Sequence, residues 1–361
     1  MSRRVFYTTT EIKEHKPDYA VIIGGRNLGK SYAVKNNEGL AYAWQQKKPT
    51  FLVLRREDQD CKPSRIESYF NDSPVETITG GEYNTITARG GNIYFANTDP
   101  TTGKTTAGLQ CGYYVALKLA HHIKSGAFPF VRDIIFEEFC PEFGGNYLDN
   151  EPTRLQSLAS TILRSRKGVV WLIGNTVSRI NPYNKEWKLN ARQKIGTILD
   201  YYHDTIDADG KPCKVKISVQ RCESVGAANG MFFGRAAEMI NKGDFTCNEH
   251  PRLERQLCDY TVIYEVLLVN DGFNFVLQLL SNDDTGQLLL YAYPHTGKRD
   301  IERVLCKDYD ENPMHSVWFD KSREIEQKYI DLLNAQQVAF SDNLTGDECI
   351  TTLKALKSST L

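Results

Sequence analysis

The sequence predicts an α/β protein with a mainly parallel sheet, followed by a smaller α+β domain. Three observations carry this. Short apolar runs alternate with helical stretches over the first 200 residues, the first run passes straight into a glycine turn, and the texture changes near residue 200 to alternating strands.

Residues 19–24 (Tyr-Ala-Val-Ile-Ile-Gly) read as a buried strand, and Ser31 to about Gln46 as the helix after it. Thr50–Leu54 is a second strand and Ile93–Ala96 a weaker one. Arg132–Phe136 and Val169–Ile173 are further buried strands, separated by a helix from about Pro152 to Leu163. Beyond residue 200, Asp207–Gly210 is a turn and Lys214–Val219 alternates. A helix is expected over Arg235–Asn241. Val262–Val269, Phe273–Leu280 and Leu288–Tyr293 form a meander joined by turns at Asn270-Asp271-Gly272 and Asn282–Gly286. A helix from Ser322 to about Gln337 precedes a tail expected to be less ordered. The expected organisation is therefore an α/β domain over 1–200, a connector over 201–245 and an α+β domain over 246–361.

With 41% hydrophobic and 25% charged residues in 361, the composition is that of a water-soluble globular chain. No run approaches the roughly 18 apolar residues of a membrane span. The first residues lack the apolar core of a secretion signal, so a cytosolic protein is expected. Nine cysteines at 61, 111, 140, 213, 222, 247, 258, 306 and 349 show no metal spacing and fit reduced, mostly buried thiols. Net charge is −1, yet residues 1–200 carry 27 Lys+Arg against 20 Asp+Glu, and the remainder 17 against 25. The basic half is the better candidate for touching a polyanion.

Gly24-Gly25-Arg26-Asn27-Leu28-Gly29-Lys30-Ser31 fits G-x-x-x-x-G-K-[ST] between an expected strand and an expected helix. Glycines let the backbone wrap phosphates, and N–H groups at the helix start face the anion. Lys30 would reach the β and γ phosphates of ATP and the Ser31 hydroxyl would ligate Mg²⁺. Gly103-Lys104-Thr105 imitates the motif but has Thr98 where the first glycine belongs, and reads as a surface turn.

A P-loop NTPase also needs an acid at a strand end for the metal and a carboxylate for the attacking water. After the run 134–136, Glu137 fits the first role, with Glu in place of the usual Asp, and Glu138 the second. The alternative is an acidic pair that merely opens a loop. Asp133, ahead of the run, is expected to face solvent. Arg164-Ser165-Arg166-Lys167 ends a helix, where an arginine could reach a neighbouring subunit's γ-phosphate or simply complement the helix C-terminus. Asn175, just past its strand, could sense the γ-phosphate or be an ordinary turn residue.

Together these residues resemble one family. Residues 21–33 (Val-Ile-Ile-Gly-Gly-Arg-Asn-Leu-Gly-Lys-Ser-Tyr-Ala), Leu54-Arg55-Arg56, residues 68–72, 134–139, 163–166 and 174–183 are similar, in order, to the genome-packaging (encapsidation) ATPase of phi-29-like short-tailed phages. The resemblance covers about residues 20–190; in the C-terminal part it rests on size, strand pattern and Phe233-Gly-Arg235. It implies an additional-strand (ASCE) P-loop ATPase domain and an RNase H-like C-terminal domain that has lost nuclease activity and docks onto the capsid apparatus. It also implies a homo-oligomeric, pentameric ring at the portal vertex of a prohead, driving double-stranded DNA inward, in some relatives through a packaging RNA. The setting would be the cytoplasm of an infected bacterium, with no membrane partner.

The same resemblance implies roles for individual residues. Lys30 and Ser31 fall on the nucleotide, Glu137 at the metal and Glu138 at the water. Arg164 falls at the trans-acting arginine position with Arg166 as rival, and Lys124 at a second trans-acting basic position. Arg55 is a switch that holds the catalytic glutamate until DNA engages, and Lys62 and Arg65 mark a DNA-gripping loop, although Glu57, Asp58 and Asp60 make that stretch acidic. Rival readings are a helicase, a nucleotide-gated assembly clamp, and a packaging protein with an active nuclease using Asp271, Asp283 and Asp284.

Overall fold

The computed structural model describes residues 6–358 except 123–126, 142–146, 165, 176–180, 191–192, 208, 224–248, 254–258, 271–272, 298–300, 302, 307–315 and 319–322. Lys124, Asp271, Phe233-Gly-Arg235 and the expected helix over Arg235–Asn241 lie outside the described residues. The chain divides into two compact units, Met1–Thr246 and Cys247–Leu361.

In the first unit, α1 (Thr10–Glu14) precedes β1 (Tyr19–Gly24). The helical run after it is α2 (Lys30–Ala33), a π-helix (Val34–Ala41) and α3 (Tyr42–Gln46), so the single helix expected there widens in its middle. Then follow β2 (Phe51–Arg55), α4 (Pro63–Tyr69), α5 (Val75–Thr79), β3 (Thr85–Arg89), β4 (Asn92–Thr98) and β5 (Thr105–Ala116). The unit continues with β6 (Asp133–Glu137), α6 (Glu151–Leu163), β7 (Val169–Asn175), α7 (Pro182–Glu186), β8 (Thr197–Ile206) and β9 (Pro212–Arg221).

The described strands form one nine-stranded sheet in the order β3-β4-β5-β2-β6-β7-β1-β9-β8. The six from β5 to β9 run parallel, while β3, β4 and β8 pair antiparallel at the two sides. Both faces are covered, which explains why the central strands read as unbroken apolar runs. Ile22, Val53, Ile135 and Trp171 enter one core and Val21, Leu52, Ile134 and Leu172 the other, as alternation along a strand requires. Because β8 and β9 belong to this sheet, the connector expected over 201–245 begins instead as sheet strands, and β9 is the parallel neighbour of β1.

Asp133 corrects the expectation that it faces solvent. It is fully buried, accepts a hydrogen bond from Trp171 Nε1 at 2.8 Å and pairs with Arg132 Nε. Burial pushes its carboxyl up to about 6, against the pull of Arg132 and the Trp171 hydrogen bond and with the help of the nearby Glu38 charge. The folded chain therefore holds a proton that the unfolded chain releases near pH 4, and stability falls as pH rises from about 4 to 6. The fall is on the order of 3 kcal/mol. Denaturant unfolding across that window is expected to show it in the wild type and not in Asp133→Asn; parallel profiles would reject the buried proton.

The second unit holds β10 (Tyr260–Asn270), β11 (Phe273–Asn282), β12 (Leu288–Pro294), β13 (Val304–Cys306), β14 (Ser316–Trp318), α8 (Glu324–Asn334), β15 (Val338–Phe340) and α9 (Asn343–Ser358). Its six described strands run in the order β14-β13-β10-β11-β12-β15. The tail expected to be less ordered is helical: α9 buries Cys349 and Leu353 against Leu277, Leu290 and Phe340. Among the described residues the cysteines are free, and no helix is long and apolar enough to cross a membrane.

Candidate active site

Parallel pairing puts the carboxyl ends of β1, β6 and β7 side by side. Gly24 lies opposite Asn175, and Glu137 opposite Ile173. In such sheets the crevice beyond these ends is where ligands bind. Here it is a cavity of about 1070 Å³ whose walls include Asn27, Lys30, Ser31, Glu137, Glu138 and Asn175.

The glycine-rich loop leaves β1 at Gly24, where a Cβ would come within 2.8 Å of Cys222 Cβ on the strand β9 side. Asn27 (φ 62°) and Gly29 (φ 83°) both adopt the left-handed conformation, and Gly29 caps α2. The backbone therefore folds back and delivers Lys30 and Ser31 as the first helical residues. Lys30 is almost entirely buried. Its Nζ donates to Gly24 O at 2.9 Å, Gly25 O at 2.6 Å and Asn175 Oδ1 at 3.3 Å.

Ser31 Oγ donates to Glu137 Oε2 at 2.9 Å, and Tyr69 OH at the end of α4 donates to Glu137 Oε1 at 2.7 Å. Burial raises the Glu137 carboxyl above its ordinary value, opposed by the Arg55 charge and by both hydroxyl donors. Hard oxygen donors paired in a buried pocket suit a magnesium ion.

Glu138 sits at φ 56°, a strained value for a residue with a side chain, and its side chain is 68% exposed beside the cleft. Arg55 Nη1 lies 3.5 Å from Glu138 Oε2, with the guanidinium 5.2 Å from the Tyr69 ring centre. The neighbouring Arg56 accounts for the unusual backbone. Its buried guanidinium donates to Glu138 O at 3.0 Å, to Phe139 O at 2.7 Å and to both oxygens of Glu151 at 2.7 and 2.9 Å. Glu151 is completed by Tyr183 OH at 2.8 Å and Leu148 N–H at 2.8 Å.

The structure thus brings together Lys30, Ser31, Glu137, Glu138, Arg55 and Asn175. It keeps Arg164 and Arg166 apart from them. Both follow α6 and precede β7, so they lie at the amino end of that strand, opposite the cleft and about 20 Å away by the length of a seven-residue strand. Arg164 is exposed, whereas Arg166 Nη2 donates to Phe128 O and Ile162 O within its own chain. Lys62 is exposed at the start of α4, and exposed Arg65 donates to Asp60 Oδ1 at 3.1 Å. In the second unit Asp283 accepts from Thr261 Oγ1 at 2.7 Å, and Asp284 N–H from the same turn donates to Asn282 Oδ1.

Sequence reasoning gave no role to Arg56, Tyr69 or Glu151. The available signal was the Arg55-Arg56 pair closing an apolar strand: a cation at the end of a strand covered on both faces must find an acid or other acceptor.

A family model for the podovirus DNA encapsidation protein (Gp16) matches residues 1–206. The DNA packaging protein of Bacillus phage PZA is 29% identical over 328 residues, 87% of each chain. That of Bacillus phage B103 is 32% identical over 164 residues, 45% of each chain. Among solved structures, a chain of the bacteriophage Phi-29 viral genome packaging motor assembly aligns over 98% of this chain and 99% of its own, with TM-score 0.55 and 19% identity. A chain of the Phi-28 gp11 DNA packaging motor aligns over 99% and 100%, with TM-score 0.51 and 17% identity, and these two likenesses speak for the fold. The model match spans more than half of the sequence and includes the glycine-rich loop and both glutamates, so the chain belongs to the podovirus DNA encapsidation protein family.

Proposed function

We propose that this chain is an ATP-driven translocase that packages double-stranded viral DNA into a prohead as a homo-oligomeric, pentameric ring. The convergence of Lys30, Ser31, Glu137 and Glu138 on one cleft carries this reading, alongside membership of an encapsidation family and relatives named DNA packaging proteins. Strand order supports an additional-strand P-loop domain, since β7 lies between the loop strand β1 and the acid strand β6. The meander β12-β11-β10 extended by parallel β13 and β14 supports an RNase H-like second unit, read here as a vestigial domain that docks on the portal apparatus, directly or through a packaging RNA.

In this reading Gly24–Gly29 cradle the phosphates, Lys30 exchanges its carbonyl partners for the β and γ phosphates, and Asn175 senses the γ-phosphate. Ser31 and Glu137 hold Mg²⁺, which when bound neutralises phosphate charge. Glu138 accepts the proton of the attacking water, and Arg55 restrains it in the meantime. Exposed Arg164, too far to serve its own cleft, reaches a neighbour's site, with Lys124 as a second basic contribution in trans. Lys62 and Arg65 grip DNA phosphates, contacts that are indifferent to sequence. The infected host's cytoplasm is the place of action.

Steady-state ATP hydrolysis without DNA, with single strands and with duplex is the test. Duplex-dominated stimulation is expected. Stimulation by single strands alone would indicate a helicase, and binding without turnover under any condition a clamp. Arg164→Ala and Glu138→Gln are each expected to be inactive, and mixing them is expected to restore hydrolysis. A mixed ring contains interfaces where a sound Arg164 meets a sound Glu138, so a mixture as inactive as its components would place the arginine elsewhere.

A further inference from the structure

Glu137 is one methylene longer than the aspartate usual at its position, and the structure shows where that extra length goes. The carboxylate spans two donors, taking Ser31 Oγ at 2.9 Å on one oxygen and Tyr69 OH at 2.7 Å on the other. Tyr69 is itself held firmly. Its ring has two cations close by, Lys35 Nζ at 4.6 Å and Arg55 at 5.2 Å from the centroid. It also packs edge-on against Phe70 at 4.9 Å, and its backbone carbonyl accepts from Lys35, whose ammonium pairs with Asp72. A phenol so placed has lost the freedom to follow the carboxylate, and the carboxylate must follow the phenol.

We propose that Tyr69 is a positioning residue for the metal site: its hydroxyl fixes the rotation of the Glu137 carboxylate so that the oxygen facing Ser31 is presented to Mg²⁺. This rests on the reading of the cleft as a Mg²⁺–ATP site. Outer partners that orient a ligand typically contribute 10- to 100-fold to metal affinity. Loss of the phenol leaves a buried carboxylate oxygen without that donor and free to turn toward Arg55, whose charge already acts on it.

The experiment is fluorescent-ATP binding by full-length wild type, Tyr69→Phe, Glu137→Asp and the double variant, each in EDTA and across a Mg²⁺ titration, with thermal unfolding as a check on the fold. Tyr69→Phe is expected to need about tenfold more Mg²⁺ for half-maximal enhancement of nucleotide affinity, while affinity in EDTA stays at the wild-type value. Aspartate is too short to reach both hydroxyls, so Tyr69→Phe is expected to add nothing further to Glu137→Asp. Wild-type Mg²⁺ dependence in Tyr69→Phe would overturn the proposal, as would additive losses in the double variant, which would mean that Tyr69 acts by another route. Equal loss of affinity in EDTA and in Mg²⁺ would show a general distortion of the pocket and overturn it too. A wild type whose nucleotide binding ignores Mg²⁺ would remove the underlying reading of the cleft, and the proposal with it.

Discussion

Glu138→Gln is expected to bind ATP as tightly as the wild type and to lose hydrolysis by at least a hundredfold, roughly the scale of a lost general base. Glutamine keeps the shape and the positive-φ backbone at this position but has no basic oxygen to accept the proton of water. Its amide can still reach Arg55, so the mutated loop retains its neighbours. The buried interactions that hold the nucleotide in this reading belong to Lys30, Ser31 and Glu137, none of which depends on the Glu138 side chain. Single-turnover hydrolysis beside a binding isotherm separates the two quantities. Near-normal turnover would reject Glu138 as the base, whereas weakened binding at unchanged turnover would make it a nucleotide contact.

The second large effect concerns the support of that glutamate. Arg56→Ala is expected to destabilise the first unit by about 3–5 kcal/mol, because it abandons the completely buried Glu151 carboxylate and two backbone carbonyls at once. Arg56→Lys is expected to recover only part of this, since one ammonium cannot reproduce a fork that meets both Glu151 oxygens and the Glu138 and Phe139 carbonyls. Replacing both charges, as in Arg56→Met with Glu151→Met, is expected to be less harmful than Arg56→Ala alone, because no charge is then buried without a partner. Chemical denaturation of the three variants tests this order. A double variant less stable than Arg56→Ala would show that the hydrogen bonds Glu151 accepts from Tyr183 and Leu148 outweigh the cost of an unpaired charge. In the folded fraction, kcat is expected to fall more than nucleotide affinity, because Arg56 holds the Glu138 backbone and not the glycine-rich loop.

The parts of the fold that could be read from the sequence are those whose neighbours impose one character on a whole segment. β1, β2, β6 and β7 are buried on both faces, so they stand out as apolar runs, and the loop after β1 carries its own glycines. The β3–β5 meander was largely hidden. β5 contains Gly108 and Gly112, which look like breakers but sit in the strand because a Cβ would strike Tyr83 at 2.2 Å and Phe51 at 2.7 Å. These are tertiary reasons with no local trace. The π-helix likewise has no local signal. Among the site residues, Lys30, Ser31, Glu137 and Glu138 could be found because they sit at fixed offsets from strand ends, whereas Arg55 was reached only through the family resemblance. Tyr69 and Arg56 act through partners far along the chain, 68 positions for Tyr69 and Glu137 and 95 for Arg56 and Glu151, and no window of sequence contains both members.

The hairpin of β8 and β9 was seen as a turn and an alternating stretch, yet its place in the sheet was not. The strand that carries the glycine-rich loop is among the first made and among the last to be completed. β1 gains its neighbours only when Val170 and then Ile217 have been synthesised, roughly 150 and 200 positions after Tyr19. Until then one edge of β1 is bare, and Cys222, whose amide bonds Ile23 O and whose side chain abuts Gly24, is missing from the loop's base. Contacts this distant in sequence form slowly and reward the chain late. If the cleft is the nucleotide site proposed above, a nascent chain acquires it only as the first unit is finished, and an unfinished chain has no complete pocket with which to engage ATP.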